Sequence, residues 1–434
     1  MQIDVAADEL ISAALAIPPD AGVCILDSSG VGHLGSRLLI VGFLPKRAFA
    51  FNDENADILE TIEDAVHQSG SAAIFTLSYA LGRKLLNIGK PESSLNEPLA
   101  YAAIFDVLAV HDYVLGQTRL CGKREQFDKI ADLINTYKRS GSQPFDANAT
   151  NLRSNFSQRE YIAAVNAIKE EIRNGNTYQT NLTQQLTVSL DPQDSAQDIF
   201  LRLRKIHPAP FAAYIERRDS TVVSASPERL IRVEEGVISA SPIKGTRRRN
   251  NDLAQDRLLA DELLASEKDR AENTMIVDLL RNDLGRVCEF GSVNVEKLCE
   301  LESHPTLYHL VSTITGKVRD RVGFAEIVKA VFPSGSITGA PKISTMRIID
   351  RIERVSRGLS MGAIGILVPD GFEGLSPLLD INVAIRTMTI SNGVATFNVG
   401  GGIVIDSDPM LEYEESLLKA HALLNALGAR QLLK

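Results

Sequence analysis

The feature that most limits what this chain can fold into is the alternation of short apolar runs with longer stretches whose apolar residues recur every three or four positions. Val23–Leu26, Leu38–Leu44 and Ala72–Tyr79 are runs of strand length, and Ile58–His67 between them has the spacing of an amphipathic helix. The remainder alternates helical patterns with β-rich runs in the same way, which predicts an α/β or α+β class. No window approaches the roughly 18 consecutive apolar residues of a membrane span. The segment Met1-Gln-Ile-Asp-Val5 carries an acid where a secretory signal would carry lysines, so a soluble, cytoplasmic protein with no membrane partner is expected. With 44% hydrophobic and 23% charged residues in 434, the chain is neither collagen-like, disordered nor a coiled coil. Its 46 Lys and Arg against 55 Asp and Glu give a net charge of −9, which argues against a nucleic-acid partner, because phosphate binding needs a positive footprint. Cys24, Cys121, Cys288 and Cys299 lack C-x-x-C spacing and are expected to be reduced, mostly buried thiols.

The clearest boundary is Arg139-Ser-Gly-Ser-Gln-Pro144 with the polar run Asp146–Asn151 behind it, dividing an N-terminal region, 1–140, from a larger region, 154–430. Three helices of the larger region can be placed. One starts at the capping box Ser157-Gln-Arg-Glu160, runs along Tyr161, Val165, Ile168 and Ile172, and stops at Asn174-Gly175. A second runs from Ser266 to Arg281 with Met275, Ile276, Leu279 and Leu280 as its apolar side. A third begins at Asp408-Pro409 and ends near Gly428, with Leu411, Leu418 and Ala422 on one face.

Two of these helices carry acids on the face that their apolar residues bury. Glu272 lies four residues before Ile276 and seven before Leu279, and Asp269 precedes it by three. Glu415 falls between Leu411 and Leu418 in the same register, with Glu412 one turn earlier. A buried carboxylate without compensation costs several kcal/mol, so four acids converging from two helices call for a cation; a hard metal with oxygen ligands is the natural candidate. Magnesium fits better than calcium, since Asp406-Ser-Asp408 begins like an EF-hand loop but has no glycine at the sixth position. Pairing of these acids with Lys268, Arg270 or Lys419 on solvated faces is the equally open alternative.

Two further groups stand out. Ser226-Pro-Glu228 and Ser241-Pro-Ile-Lys244-Gly-Thr-Arg-Arg-Arg249 each end a strand-like run, Thr221–Ala225 and Val237–Ala240, which places Glu228 and Lys244 on neighbouring loops. Three adjacent arginines would favour a neutral, nucleophilic lysine; a basic turn in water is the other reading. Pro333-Ser-Gly-Ser-Ile-Thr-Gly-Ala-Pro-Lys342 and Val399-Gly-Gly-Gly402 would let backbone N–H groups approach an anion, though neither is a nucleotide signature and the second also suits a tight turn or bulge. Arg386, on a predicted strand Ile381–Ile390, would grip a carboxylate. Gly358-Leu-Ser360-Met-Gly362 matches the G-x-S-x-G elbow of a Ser360-dependent hydrolase, but with a helix before it and a strand after, the inverse of what an elbow needs.

With these residues in view, the chain resembles the chorismate-utilising enzymes. The resemblance runs from Ser154 to about Leu427 through Asn176-Thr-Tyr-Gln-Thr-Asn-Leu182, Ser226-Pro-Glu-Arg229, Pro242-Ile-Lys-Gly-Thr246, Ala271-Glu-Asn-Thr-Met-Ile-Val-Asp-Leu-Leu-Arg-Asn-Asp283, Gly335-Ser-Ile-Thr-Gly-Ala-Pro-Lys342 and Gly400–Glu415, in the family's order. Leu26-Asp-Ser-Ser29 and Leu77-Ser-Tyr-Ala-Leu-Gly82 resemble its N-terminal region more loosely. The resemblance implies one complex domain in which two β-sheets pack face to face between helices. Lys244, where anthranilate synthases usually carry alanine, and Gln179, where the water-activating isochorismate and salicylate synthases carry lysine, are similar to the aminodeoxychorismate-forming branch of the 4-aminobenzoate and folate pathway. Anthranilate synthase component I is the nearest alternative. Where relatives usually place an aromatic residue near the substrate, this sequence has Ser360.

The same resemblance implies a mechanism. A magnesium ion held by Glu272 and Glu415, with Asp269 and Glu412 nearby or acting through water, would bind the ring carboxylate of chorismate. Arg386 and the backbone of Gly400, Gly401 and Gly402 would hold the enolpyruvyl carboxylate. Glu228 would protonate the departing 4-hydroxyl while Lys244 attacks C2, and ammonia would then displace the lysine at C4. Gln179, Thr246, Ser292, His309, Ser336 and Thr338 are the implied supporting residues. No cysteine sits in a glutaminase elbow, so a separate glutamine amidotransferase subunit is the implied partner. Ser28, Gly35, Ser36, Arg37, Leu38, Pro210, Phe211 and Ala212 correspond to the tryptophan pocket of regulated members.

Overall fold

A computed structural model describes residues 1–18, 21–53, 56–89, 97–138, 149–303 and 307–429. The predicted boundary Arg139–Pro144 lies outside the described residues. Two antiparallel sheets, of twelve and ten strands, are built from the described residues together with eleven α-helices. Cys24, Ile40, Val110 and Ile215 of the larger sheet meet Ile74, Phe105, Ile364 and Ile366 of the smaller one in a shared apolar layer. The opposite face of the larger sheet, with Ile25, Leu39, Val41 and Tyr214, packs on helices that supply Leu10, Ile130, Phe200 and Leu423. That of the smaller sheet, with Ala73, Phe75 and Leu77, packs on helices that supply Ile62, Val66, Ile276, Leu280 and Val328. Both faces of the central strands are thus covered, which is why Ala72–Leu77 and Cys24–Asp27 are continuous apolar runs rather than alternating ones. The expected pair of packed sheets between helices is what forms.

The N-terminal and C-terminal regions share both sheets. Cys24–Asp27 pairs with Phe211–Arg217 in the larger, and Ala72–Leu77 pairs with Ala363–Val368 in the smaller. Two segments cross from one sheet to the other side by side. Ser220–Ser226 leaves the larger sheet and becomes Arg229–Glu234 of the smaller after two residues, Pro227 and Glu228. Leu378–Val383 makes the reverse passage and becomes Thr387–Ser391. The single strand predicted over Ile381–Ile390 is therefore two, because the chain changes sheets, and Arg386 sits at the kink with φ of 49° rather than on a strand face.

The helix Gln158–Arg173 has the predicted capping box, and Gly175 takes the left-handed conformation behind it. The second helix, capped by Ser266, runs on to Gly285 and buries Asn273 with Ile276 and Leu280. The third, Pro409–Ala426, is turned from the expected orientation. Leu411 and Leu418 are 63% and 58% exposed, while Glu412, Ser416, Ala420, Leu423 and Leu424 are buried. Its first half lies against a polar part of the sheet, where Gln184 Nε2 donates to Ser416 Oγ at 2.7 Å and Ser407 Oγ donates to Glu412 Oε1 at 2.7 Å. Hydrogen bonds in the first half and apolar burial of Ala420, Leu423 and Leu424 in the second together decide which side faces in.

At the helix Lys342–Glu353 a charged pair closes the interior. Arg357 and Glu353, 1% and 2% exposed at their side chains, join through Nη2–Oε1 at 2.6 Å and Nε–Oε2 at 2.7 Å. Arg357 also donates to the carbonyls of Ile337 at 2.8 Å and Asn181 at 2.7 Å, and the N–H of Thr183 donates to Glu353 Oε1 at 2.7 Å. Removing one partner leaves the other charge buried, which costs about 3–5 kcal/mol. Arg357→Met is therefore expected to lower the urea midpoint by an amount equivalent to about 3–5 kcal/mol with the slope unchanged; a loss below about 1 kcal/mol would show that solvent reaches Glu353.

Candidate active site

The crossing at Pro227-Glu228 is pinned from the neighbouring crossing. Ser226 Oγ donates to the Val383 carbonyl at 2.6 Å and the Val383 N–H to the Glu228 carbonyl at 3.0 Å. The Glu228 carboxylate accepts from Ser336 Oγ at 2.6 Å, on the buried turn Gly335–Ile337. Burial pushes this carboxyl above its ordinary range, even though the Ser336 hydrogen bond and the Lys244 and Lys419 charges oppose it. Glu228 is thus a carboxyl that retains its proton more readily than most.

Lys244 lies on the strand Ile243–Arg248, not on a loop. A bulge at Gly245, with φ of 74°, interrupts its pairing with Leu307–Lys317, and a Cβ there would come within 2.8 Å of Leu263 Cδ1 and 3.0 Å of Asp269 Cγ. Lys244 Nζ is 2.7 Å from Glu272 Oε1, which also accepts from Gln179 Nε2 at 2.8 Å. Burial works against the charged form of Glu272, but the Lys244 charge and the hydrogen bonds from Lys244 and Gln179 hold its carboxyl below the ordinary value. The expected crowding of Lys244 by arginines does not occur: Arg247 faces Glu262 at 3.0 Å and Asp269 at 3.6 Å, and Arg249 faces Asp256 at 2.7 Å. Thr246 Oγ1 lies 2.9 Å from His309 Nδ1.

The glycine strand Val394–Ile403 runs beside Gln179–Ser189, Asn181 opposite Gly402 and Thr183 opposite Gly400. A Cβ on Gly402 would lie 2.2 Å from Gln179 Nε2 and 3.2 Å from Glu272 Oε1; on Gly401 it would lie 3.2 Å from Glu412 Oε2 and 3.6 Å from Glu415 Oε1. A side chain at Gly402 would force Gln179 to move, whereas one at Gly401 would meet only tight to ordinary contacts. The other edge pairs with Thr387–Ser391 only as far as Thr396. Beyond it the Asn398 N–H turns out of the ladder to Ser360 Oγ at 3.0 Å, and by the two-residue period the Gly400 and Gly402 amides face that same edge. Lys419 Nζ, 2.7 Å from Glu415 Oε1, occupies the Gly400 carbonyl at 3.0 Å.

Arg386 is drawn below its ordinary pKa by burial. Its Nη1 meets His207 Nε2 at 2.8 Å, and burial with the Arg386 charge pushes His207 down to about 4. Among the described residues no carboxylate pairs with Arg386, so a buried guanidinium faces a neutral ring. An anionic ligand group would satisfy it.

The carboxylates that were expected to converge are distributed. Glu272 is engaged by Lys244, Glu415 by Lys419, and Asp269 lies beside Arg247 and Gly245. Glu412 is raised by burial, its Ser407 hydrogen bond opposing and the Glu415 charge adding to the rise. Among the described residues no three His, Cys, Asp or Glu side chains gather closely enough to hold a metal alone. Glu272 and Glu415 nevertheless fit magnesium in donor type, because that ion is characteristically held by one or two carboxylates and completes its shell with substrate oxygens and water.

Other predicted residues separate. Thr338 Oγ1 is spent on the Ser334 carbonyl at 2.8 Å. Ser292 Oγ donates to the Glu289 carbonyl at 2.8 Å in a turn beside Lys317, seven residues along the strand from the Leu310 that opposes Lys244, hence about 20 Å away. That distance removes it from the cluster. Ser360, 6% exposed, donates to the Thr387 carbonyl at 3.0 Å and accepts from Asn398, so it fastens two strands and is no exposed nucleophile. All four cysteines are buried and free. Lys419 pairs with Glu415 as the solvated alternative expected, whereas Asn273 and Ser312 are contributors that sequence reasoning missed. Asn273 Oδ1 accepts from Ser312 Oγ at 2.5 Å and so fixes the helix that carries Glu272. Its position three residues before Ile276 was the available signal.

The eight residues of the predicted tryptophan pocket all line one cavity of about 980 Å³, beside Leu26, Ile40, Ile364 and Ile366. Ser28 Oγ and Asn382 Oδ1 on its wall are buried with no hydrogen-bond partner among the described residues. None of Glu228, Lys244 or Glu272 lines it.

Among the described residues no helix is long and apolar enough to cross a membrane. Known proteins are similar to this chain in sequence and in fold. An anthranilate synthase component I-like protein of Synechocystis is 41% identical over 300 residues, 69% of this chain and 59% of its own length. Aminodeoxychorismate synthase component 1 of Bacillus subtilis is 36% identical over 369 residues, 82% of this chain and 76% of its own. The crystal structure of anthranilate synthase component I from Streptococcus pneumoniae superposes with a TM-score of 0.80 at 27% identity, covering 98% of this chain and 99% of that one. The family model described as chorismate binding enzyme matches residues 38–425. On that match, the chain belongs to the chorismate binding enzymes and acts on chorismate.

Proposed function

We propose that the chain is the synthase subunit that converts chorismate and ammonia to 4-amino-4-deoxychorismate. The observation that carries this reading is an amine, Lys244, in a part-buried cluster with Glu272 and within the field of a proton-retaining carboxyl, Glu228. These are the nucleophile and the general acid that displacement of an allylic hydroxyl needs. Attack requires the neutral amine, so the Lys244–Glu272 pair has to open first. The C2–N bond then forms as the two conjugated ring double bonds shift and the C4–O bond breaks, with Glu228 supplying the proton that lets water leave. Ammonia adds at C4, both double bonds shift back, the C2–N bond breaks to release Lys244 as the amine, and the surplus proton of the new ammonium returns to Glu228.

Glu272 and Glu415 would hold the magnesium ion, which when bound neutralises the ring carboxylate and this acidic wall. Arg386 and the Gly400 and Gly402 amides are suited to the enolpyruvyl carboxylate. Ser336 keeps Glu228 aimed, and Gln179 restrains Glu272. Ammonia would come from a separate glutamine amidotransferase subunit, and the 980 Å³ cavity, lined by apolar residues together with charged ones such as Arg37, Arg119 and Asp27, is suited to an amino acid such as tryptophan. Anthranilate synthase is the second reading, favoured by relatives of both names at similar identity; it shares metal and ammonia but attacks C2 and eliminates pyruvate.

Product analysis separates the two. Chorismate, magnesium and ammonium are expected to give 4-amino-4-deoxychorismate, and fluorescent anthranilate without added lyase would overturn the first reading. With ammonia left out, intact-protein mass spectrometry should find an adduct confined to Lys244; Lys244→Ala that keeps normal amino product with no wild-type adduct would reduce Lys244 to an ion-pair partner. Glu228→Gln is expected to lower kcat roughly 10²–10⁴-fold. Because the acid form of Glu228 is the active one, wild-type kcat should fall as pH rises through its elevated pKa, and the variant should lose that limb. Glu272→Gln and Glu415→Gln should weaken magnesium dependence and activity together; unchanged magnesium titrations in both would leave these acids as partners of Lys244 and Lys419 only.

A further inference from the structure

The contact between Arg386 and His207 has only one possible polarity. A guanidinium has five N–H donors and no acceptor, so at 2.8 Å Arg386 Nη1 donates and His207 Nε2 accepts. The imidazole proton is therefore on Nδ1 and the ring is neutral, the form that burial and the Arg386 charge also favour. His207 is the residue at which the helix Ala196–Ile206 ends. Its N–H donates to the Leu203 carbonyl at 2.8 Å, and Pro208 behind it has no N–H with which to continue the helix. That helix buries Ile199, Phe200 and Leu203 and is tied down by Arg204 Nε to Asp27 Oδ2 at 2.7 Å and Arg202 Nε to the Ala426 carbonyl at 2.8 Å. Beyond His207 the chain enters the strand Phe211–Arg217, whose Ala212 pairs with Ala225. The Ala225 N–H donates in turn to the Arg386 carbonyl at 3.0 Å. Backbone on one side and an imidazole on the other thus hold Arg386 at the kink between the sheets.

We propose that His207 is a positioning residue for Arg386, an acceptor that fixes the guanidinium plane without neutralising its charge. A carboxylate in the same place would bind the cation more strongly but would compete for it with any anionic ligand. A neutral imidazole takes one N–H of Nη1 and leaves the charge together with the Nε–Nη2 edge, the planar fork that meets a carboxylate through two parallel hydrogen bonds. An arginine already held in one plane also loses less rotamer freedom when its ligand arrives, so the effect falls on binding rather than on the chemical step. The ligand class served is the carboxylate of a small organic acid, which in the reading above is the enolpyruvyl carboxylate.

The kinetic consequence rests on the proposed chorismate chemistry and the spectroscopic one on the contact itself, and the full-length chain tests both. The variants are His207→Gln, which keeps a neutral acceptor near the Nε2 position, His207→Glu, which puts a carboxylate there, His207→Ala, Arg386→Ala and the double variant His207→Ala/Arg386→Ala. They are compared in kcat and KM for chorismate and in imidazole ¹⁵N spectra, where His207→Gln identifies the His207 signals. Wild-type His207 is expected as the Nδ1–H tautomer, with its Nε2 signal shifted in Arg386→Ala. His207→Ala should raise KM roughly tenfold or more with kcat within about twofold, because a hydrogen bond to a charged group is lost from binding alone. His207→Gln should stay within about threefold of the wild-type KM, His207→Glu should exceed the alanine variant, and the double variant should have a kcat/KM no lower than Arg386→Ala. An Nε2–H or doubly protonated ring, an unchanged KM in His207→Ala, or a His207→Glu enzyme with the KM of His207→Gln would overturn the proposal. The Gln and Glu variants, alike in size, decide the matter even where His207→Ala unfolds. If the wild type leaves chorismate untouched, the functional reading fails while the ¹⁵N spectra still decide whether His207 holds Arg386.

Discussion

The interaction on which the site depends most is the buried pair between Glu353 and Arg357. Desolvating two charges is costly, and their attraction repays that cost only when every remaining donor and acceptor is satisfied. Here the satisfying groups are the backbone of Asn181, Thr183 and Ile337. Asn181 and Thr183 belong to the strand that carries Gln179 and faces the glycines, and Ile337 to the turn that carries Ser336. The pair therefore sets the separation between the wall that restrains Glu272 and the turn that aims Glu228.

Within that frame the charges are sorted by environment. Lys244 and Gln179 address one oxygen of Glu272 and hold its carboxyl below the ordinary value, whereas burial raises Glu228 against its one hydroxyl and the Lys244 and Lys419 charges. Two carboxyls of one chemistry are thus shifted in opposite directions, the usual starting point for dividing acid work from charge stabilisation. Arg386 supplies the opposite need, a buried cation with only a neutral His207 against it. Gly402 makes room on this strand for Gln179, whose Nε2 a Cβ there would meet at 2.2 Å.

Much of this was legible in the sequence where a local rule governs. The capping box at Ser157, the Asp408-Pro409 start and the two-sided apolar strands formed as expected, because caps and burial periodicity act over a few residues. The motif residues Glu228, Lys244, Glu272, Gln179 and Ser336 were named from their patterns, and the structure brings them into two hydrogen-bonded groups. Errors arose where partners are remote. Leu411 and Leu418 form a regular stripe, yet Gln184 and Ser407 attract the other side of the helix. Ser292 has a plausible residue type but lies at the wrong end of a long strand.

The sequence by itself determined the class of fold, the ends of its helices, the family and the residue types available for chemistry, since those follow from composition, spacing and motif over short distances. Tertiary structure alone decided that Arg386 sits at a kink between sheets, that Lys244 lies against Glu272 rather than crowded by its neighbouring arginines, and that Ser360 is a strand fastener. The physical reason is common to all three. Each depends on which strands the two sheets bring side by side, and that pairing is fixed by burial of the whole apolar layer rather than by any segment of the chain.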